Sequence, residues 1–281
     1  MTLADLPYTT NDLFPAENFA FHMRFRRGDV PQFFRNRDGR GANLAERQKW
    51  LSEDSAKYTA ASDGCQPLIE EAVDLAKSIG IVVARGNTIF ESMVNLGAAW
   101  EPDLLLLKAP SATEQPILSA GCVCFPSSWA LEEKIGKPLD TIHTPVPTLN
   151  EEFANPIQQF LARMKPGISW ERINWGLSRS PELNQHPSRN LPRLNEKIDL
   201  DEVWFRAEYQ SLVSLPKTGG VLFGIRLVIE PLAKLCADTE FVAGLRRAIE
   251  TMPEPIAIYK GVAPSRQRLL ELLETVQKKK A

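Results

Sequence analysis

From Val203 to Val213 the chain alternates: Val203, Phe205, Ala207 and Tyr209 hold one parity, and Arg206, Glu208 and Gln210 hold the other. A period of two is the signature of a strand with one face in the core, and it sets a guanidinium, a carboxylate and an amide side by side on the opposite face. A second strand is predicted over 221–229, after a turn made by Pro216, Lys217, Thr218, Gly219 and Gly220, with Arg226 among apolar residues. Pairing about the centre of that hairpin would put Gln210 opposite Arg226. Gly224, on the face of Arg226, would leave room there for a flat ligand.

Elsewhere the pattern predicts strands over 103–108, 117–125 and 170–178. Apolar residues at Leu68, Ile69, Ala72, Val73, Leu75, Ala76 and Ile79 follow a helical period that Gly80 ends, so a helix is expected over 67–79. Further helices are expected from Ser127 or Ser128 to Gly136, over 151–164, over 231–251 and over 264–279. Residues 1–60 show no regular period, but Phe19, Phe21, Phe25, Phe33, Phe34 and Trp50 mark a segment that packs onto the body rather than a loose tail. Two strands, a helical connection and three antiparallel strands make an α+β protein in the order of the Per-ARNT-Sim (PAS) fold. The expectation is a PAS-like five-stranded antiparallel sheet with helices on one face and helical N- and C-terminal extensions. It divides into an N-terminal extension (1–65), the PAS-like body (66–230) and C-terminal helices (231–281), together one structural unit.

Composition narrows the partners. The 281 residues are 43% hydrophobic and 24% charged, with a net charge of -2 and a pI near 6.0, so there is no basic footprint for nucleic acid or for an anionic membrane. No apolar run reaches the ~20 residues that span a bilayer, and residues 1–7 lack the order of a secretory signal; a cytoplasmic protein is expected. Cys65, Cys122, Cys124 and Cys236 include one close pair and no second pair to complete a metal site, which reads as reduced core thiols. There is no glycine-rich phosphate loop and no dinucleotide fingerprint, so redox chemistry with a nicotinamide would need another protein.

Candidate chemistry centres on few residues. Of the three histidines, His22 sits in the aromatic leader and His186 in a polar loop, whereas His143 lies in Ile142-His143-Thr144-Pro145-Val146-Pro147, a backbone stiffened by two prolines. Such a segment suits an axial metal ligand, because it fixes the imidazole before the metal arrives; a purely structural histidine fits it as well. The row Arg206, Glu208 and Gln210 with Arg226 reads either as a solvated ion-pair ladder or as a polar wall facing a cofactor. Arg172 and Asn174 share a face of the strand that also holds Trp175, a tryptophan that reads as core.

Four segments, Cys124–Trp129, Ile142–Pro147, Arg172–Trp175 and Arg206–Arg226, occur together in an order that resembles the haem-dependent oxidative N-demethylase alpha-subunit family. The resemblance spans about 120–230. It implies a PAS-like domain that binds haem b and oxidises a small secondary methylamine such as dimethylamine to an amine and formaldehyde. It further implies His143 as the iron ligand, with Arg172, Asn174 and Trp175 beside the cofactor. Arg206 and Arg226 would bind a carboxylate or assist oxygen activation, Glu208 would pair with the cationic amine, and Gln210 would orient them. Dioxygen is the second substrate, and electrons must come from a separate flavin or iron-sulfur reductase. Tyr209 stands where the resemblance gives arginine, and 223–227 is poorer in threonine and tyrosine. The alternative is a non-enzymatic haem-PAS sensor of gas or redox state.

Overall fold

The computed structural model describes residues 1–39, 41–109 and 114–280. Seven strands form one antiparallel sheet: β1 (Arg26–Gly28), β2 (Thr59–Ala61), β3 (Asp103–Leu107), β4 (Leu118–Cys122), β5 (Ser169–Ser178), β6 (Trp204–Ser214) and β7 (Val221–Pro231), ordered β1-β5-β6-β7-β3-β4-β2. The five predicted strands are all present and adjacent. The two additional ones are three-residue pieces of the N-terminal extension, Arg-Arg-Gly and Thr-Ala-Ala, too short to carry a periodic signal.

Alternation along the strands divides the core into two layers. Phe205, Ala207, Tyr209 and Val213 of β6, with Leu222 and Val228 of β7, pack under the helices Ala42–Tyr58, Gln66–Ser78, Ile89–Ala99 and Thr239–Thr251. Leu212 of β6 and Val221, Phe223 and Ile225 of β7 pack on the other side against Leu139, Ile142, Ile157, Phe160 and Leu161 of the helices Leu139–His143 and Leu149–Ala162. Helices therefore cover both faces rather than one: the terminal segments and the chain between β2 and β3 cover the first, here the extension face, and the chain between β4 and β5 covers the second, the connection face. Among the described residues, no helix is long and apolar enough to cross a membrane.

The predicted helix from Ser127 to Gly136 does not form; the segment is a series of turns. Ser128 takes a left-handed backbone (φ 63°), which no right-handed helix admits, and its amide donates to Gln185 O at 3.1 Å while Gln185 N donates to Pro126 O at 3.0 Å. A distant loop thus takes the backbone groups a local helix would have used. The leader, expected to be irregular, contains the helix Ala42–Tyr58. Its period is spoiled by Arg47, which is fully buried and bonds Asp103 Oδ1 at 2.6 Å and Gly97 O at 2.8 Å. The helix Ile89–Ala99 was also not anticipated; Thr88 caps it through the Glu91 amide. The predicted helix over 231–251 is broken into Leu232–Leu235 and Thr239–Thr251, the second opened by Asp238 as N-cap.

The β6–β7 register corrects the expected pairing: Gln210 lies opposite Ile225 and Arg226 opposite Tyr209. Arg226 consequently points into the extension face. There it pairs with Glu101 Oε2 at 2.8 Å and donates to Phe33 O at 2.7 Å and to Arg35 O. The space expected beside Gly224 is filled, since a Cβ there would stand 2.6 Å from Phe34 Cε1 and 2.8 Å from Phe33 Cε1. Gly224 lets two leader phenylalanines seat on the sheet. Gly224→Val is expected to cost ~1–3 kcal/mol by overpacking, read as a lowered urea midpoint at unchanged slope.

Candidate functional site

On the connection face β5 and β6 build a polar ladder. Arg172 pairs with Gln210, Asn174 with Glu208, and Gly176 with Arg206. The ladder is enclosed rather than solvated: Arg206 is 3% and Gln210 8% exposed, with Glu208, Arg172 and Asn174 half-buried. Glu208 is at its centre. Its Oε1 accepts from Ser127 Oγ at 2.8 Å, and its Oε2 accepts from Gln210 Nε2 at 2.9 Å and from Asn174 Nδ2 at 3.3 Å. Arg206 is linked to it indirectly, donating to Ser127 Oγ at 3.3 Å and to the carbonyls of Glu182 at 2.8 Å and Leu183 at 3.1 Å.

Among the described residues, neither arginine of the ladder has an acidic ion-pair partner in contact, and the Nε atoms of both Arg172 and Arg206 are buried without a hydrogen bond. Orphaned guanidinium donors are costly in a low-dielectric setting. Burial pulls Arg206 down to about 10, with Glu208 and Asp103 opposing, and lowers Arg172 as well. Gly176, opposite Arg206 on β5, faces open space: a Cβ there would meet nothing within 4 Å.

His143 ends the helix Leu139–His143, which the carbonyl of Asp140 ties to the next helix by accepting from Asn150 Nδ2 at 2.7 Å. The imidazole is half-buried and makes no hydrogen bond to a described residue. Desolvation, then the charges of Arg172 and Lys134, pull it down to about 4. It is neutral near pH 7, with lone-pair nitrogen available to a metal. Arg172 of the ladder is thus one of the charges that act on the imidazole.

These features suit haem. A neutral imidazole can ligate iron, an unpartnered buried guanidinium can take an acidic side group of the porphyrin, and the gap over Gly176 leaves room against the strand. Arg172, Asn174, Arg206, Glu208 and Gln210 thus form one neighbourhood, and its Arg172 is among the charges that lower His143. Trp175 and Arg226 are not in it, because parity turns them to the extension face: Trp175 stacks on Phe205 with centroids 6.0 Å apart, and Arg226 is held by Glu101. Tyr209 is turned the same way, and its hydroxyl donates to Glu171 Oε2 at 2.6 Å, so this departure from the family pattern lies off the polar wall.

Two members of the neighbourhood were not read from the sequence. Ser127 is expected from the sequence only as a candidate start of a helix, although it lies in the Cys124–Trp129 segment. Lys260 follows the short helix Glu254–Tyr259, far from every motif; it donates to Trp175 O at 2.7 Å at the β5 edge and lies 5.0 Å over the Trp175 ring. Burial pulls it down to about 8, with Glu208 raising and Arg172 lowering it.

A family model described as haem-dependent oxidative N-demethylase, alpha subunit-like, matches residues 77–270. That span is more than half of the chain and holds His143, the whole β5–β6 ladder and Lys260, while most of the leader lies before it. Matched sequence and enclosed polar wall agree, and the chain belongs to the haem-dependent oxidative N-demethylase, alpha subunit-like family.

Proposed function

We propose that this protein holds haem b on the connection face through His143 and removes a methyl group from a small secondary methylamine, such as dimethylamine, as formaldehyde. The observation that carries the reading is the neutral, unbonded imidazole of His143 next to an enclosed ladder with a single carboxylate, Glu208. The five central strands, two before the helical connection and three after it, support a PAS-like body. The name of the family, alpha subunit-like, supports a multi-subunit assembly; electrons would come from a separate flavin or iron-sulfur reductase.

Haem, when bound, supplies the activation of dioxygen. The chain's residues supply position and field. Glu208 gives a methylammonium its counter-ion, and Ser127, Asn174 and Gln210 fix both carboxylate oxygens. Preorganised in this way, the carboxylate does not reorient as the amine arrives. Arg206, held by two carbonyls and Ser127, keeps positive potential beside the reacting region. Asn174 bridges the wall to the open side of β5, from which a small amine reaches Glu208.

The test is the visible spectrum of the purified protein with and without haemin, followed by formaldehyde release from dimethylamine with dioxygen and a surrogate reductant. Haem binding with no amine-dependent product across a panel of methylamines would favour a gas or redox sensor. For Glu208→Gln, haem binding is expected to persist while amine affinity falls about tenfold or more, the loss of one charge-assisted hydrogen bond. Equal amine affinity in the variant and the parent would remove Glu208 as counter-ion.

A further inference from the structure

The neighbourhood has more cations than its acid can balance. Arg172, Arg206 and Lys260 share the field of Glu208, and that carboxylate already accepts from Ser127, Gln210 and Asn174. Arg206 spends its terminal nitrogens on Glu182 O, Leu183 O and Ser127. The Arg172 side chain makes no hydrogen bond to any described residue, and its Nε is wholly buried. Lys260 uses one of its three donors, on Trp175 O. Two cations therefore keep unspent donors at the same place.

That place is a cavity. β1 pairs with β5 only over Ser169–Glu171, so the outer edge of β5 beyond it has no strand partner. Between this edge and the aromatic leader lies a space of about 100 Å³, lined by Arg172, Asn174 and Lys260 on one side and by Phe19, Phe21 and His22 on the other. It is small against the ~300–1,000 Å³ of sites for larger organic ligands. Its acids are spoken for: Asp12 accepts from Thr9 N at 2.7 Å and Thr9 Oγ1 at 2.8 Å, and Glu17 pairs with Arg24 at 3.5 Å. Arg172 and Lys260, with no ion-pair partner in contact among the described residues, make the β5 side of the cavity positive, and Asn174 connects that side to Glu208.

We propose that this cavity is a carboxylate subsite and that the substrate is a small N-methylated amino acid, its carboxylate held by Arg172 and Lys260 and its ammonium directed at Glu208. The inference rests on the demethylase reading and narrows its substrate class. A zwitterion offers a carboxylate to the cations of the pocket and an ammonium to the carboxylate that Asn174 links to it, whereas dimethylamine uses Glu208 alone. A bidentate arginine and a lysine are the usual grip on a carboxylate. The porphyrin's own carboxylates are the other source of this chemistry, and the experiment separates the two.

Calorimetry with sarcosine (N-methylglycine), dimethylamine and acetate, on haem-free and haem-loaded protein, reads the subsite without turnover. Sarcosine is expected to bind at least tenfold more tightly than dimethylamine to the loaded protein, with acetate competing. Lys260→Met is expected to abolish that preference while leaving haem affinity, titrated at the Soret band, unchanged, and Lys260→Arg to restore it. The restoring variant guards against misfolding as the cause of the loss. Equal affinity for sarcosine and dimethylamine in the parent overturns the proposal, as does a Lys260→Met protein that loses haem and keeps sarcosine, since the cations would then serve the porphyrin. If the protein takes up no haem, the demethylase reading fails by itself, while sarcosine and acetate binding to the haem-free chain still decides the subsite.

Discussion

His143→Ala is expected to remove nitrogen ligation of haem, seen as loss or displacement of the Soret band, with apparent haem affinity falling by more than about 100-fold. Groups that merely orient a metal ligand are typically worth 10–100-fold in affinity, so loss of the ligand must exceed that. The fold is expected to survive. The imidazole is half-buried and makes no hydrogen bond to a described residue, and the helix Leu139–His143 is anchored independently through Asn150 and Asp140. Added imidazole should rescue part of the spectrum by occupying the vacated position. A Soret band identical to that of the parent would exclude His143 as ligand and send the search to other donors on the connection face.

Arg226→Met is expected to do the converse: to destabilise the protein by ~3–5 kcal/mol, the cost of stranding one partner of a buried ion pair, with little effect on the haem spectrum of the folded fraction. Glu101 would keep the amides of Arg37 at 2.8 Å and Asp38 at 2.6 Å but lose its only cation in contact among the described residues. The carbonyls of Phe33 and Arg35 would lose their donor. Methionine keeps much of the volume, which isolates the charge and hydrogen-bond loss from a cavity effect. Pairing it with Glu101→Leu should recover part of the loss, because the stranded carboxylate is gone. The urea midpoint measures both. A spectral change larger than the change in stability would show that the two faces of the sheet communicate.

The contrast between these two residues shows what the chain discloses before it folds. Alternation from 203 to 213 placed Arg206, Glu208 and Gln210 on one face correctly, because side-chain parity within a strand is local geometry. The parity of Arg226 relative to that row depends on hairpin register, which the Pro216–Gly220 turn sets and which a one-residue slip inverts; the observed Tyr209–Arg226 pairing sent it to the other face. Trp175 was grouped with Arg172 and Asn174 because the motif is contiguous; in the strand Asn174 is on the wall and Trp175 turns to the opposite face, onto Phe205. Ser127 shows a different limit. Its capping residue type was legible, but its actual partner, Glu208, is brought to it by the sheet. Lys260 had no local signature at all, because only the packing of the C-terminal helices carries it to the β5 edge. The two extra strands and the kinked helix Ala42–Tyr58, interrupted at Asp54, were hidden for the same reason: long-range contacts, not local period, hold them.

The leader touches both layers of the molecule. Phe33 and Phe34 seat over Gly224 on one side of the sheet, and Phe25 stacks on Phe160, centroids 4.4 Å apart, on the other, with the Arg172 guanidinium 5.8 Å from the Phe25 ring. It therefore acts as a strap around the sheet margin, and a molecule resting against Arg172 also rests against the strap. By linkage, any ligand favoured by the fastened arrangement tightens the strap, and any change that loosens the strap weakens that ligand by the same free energy. Occupancy of the interior and order at the chain's beginning are two readings of one equilibrium.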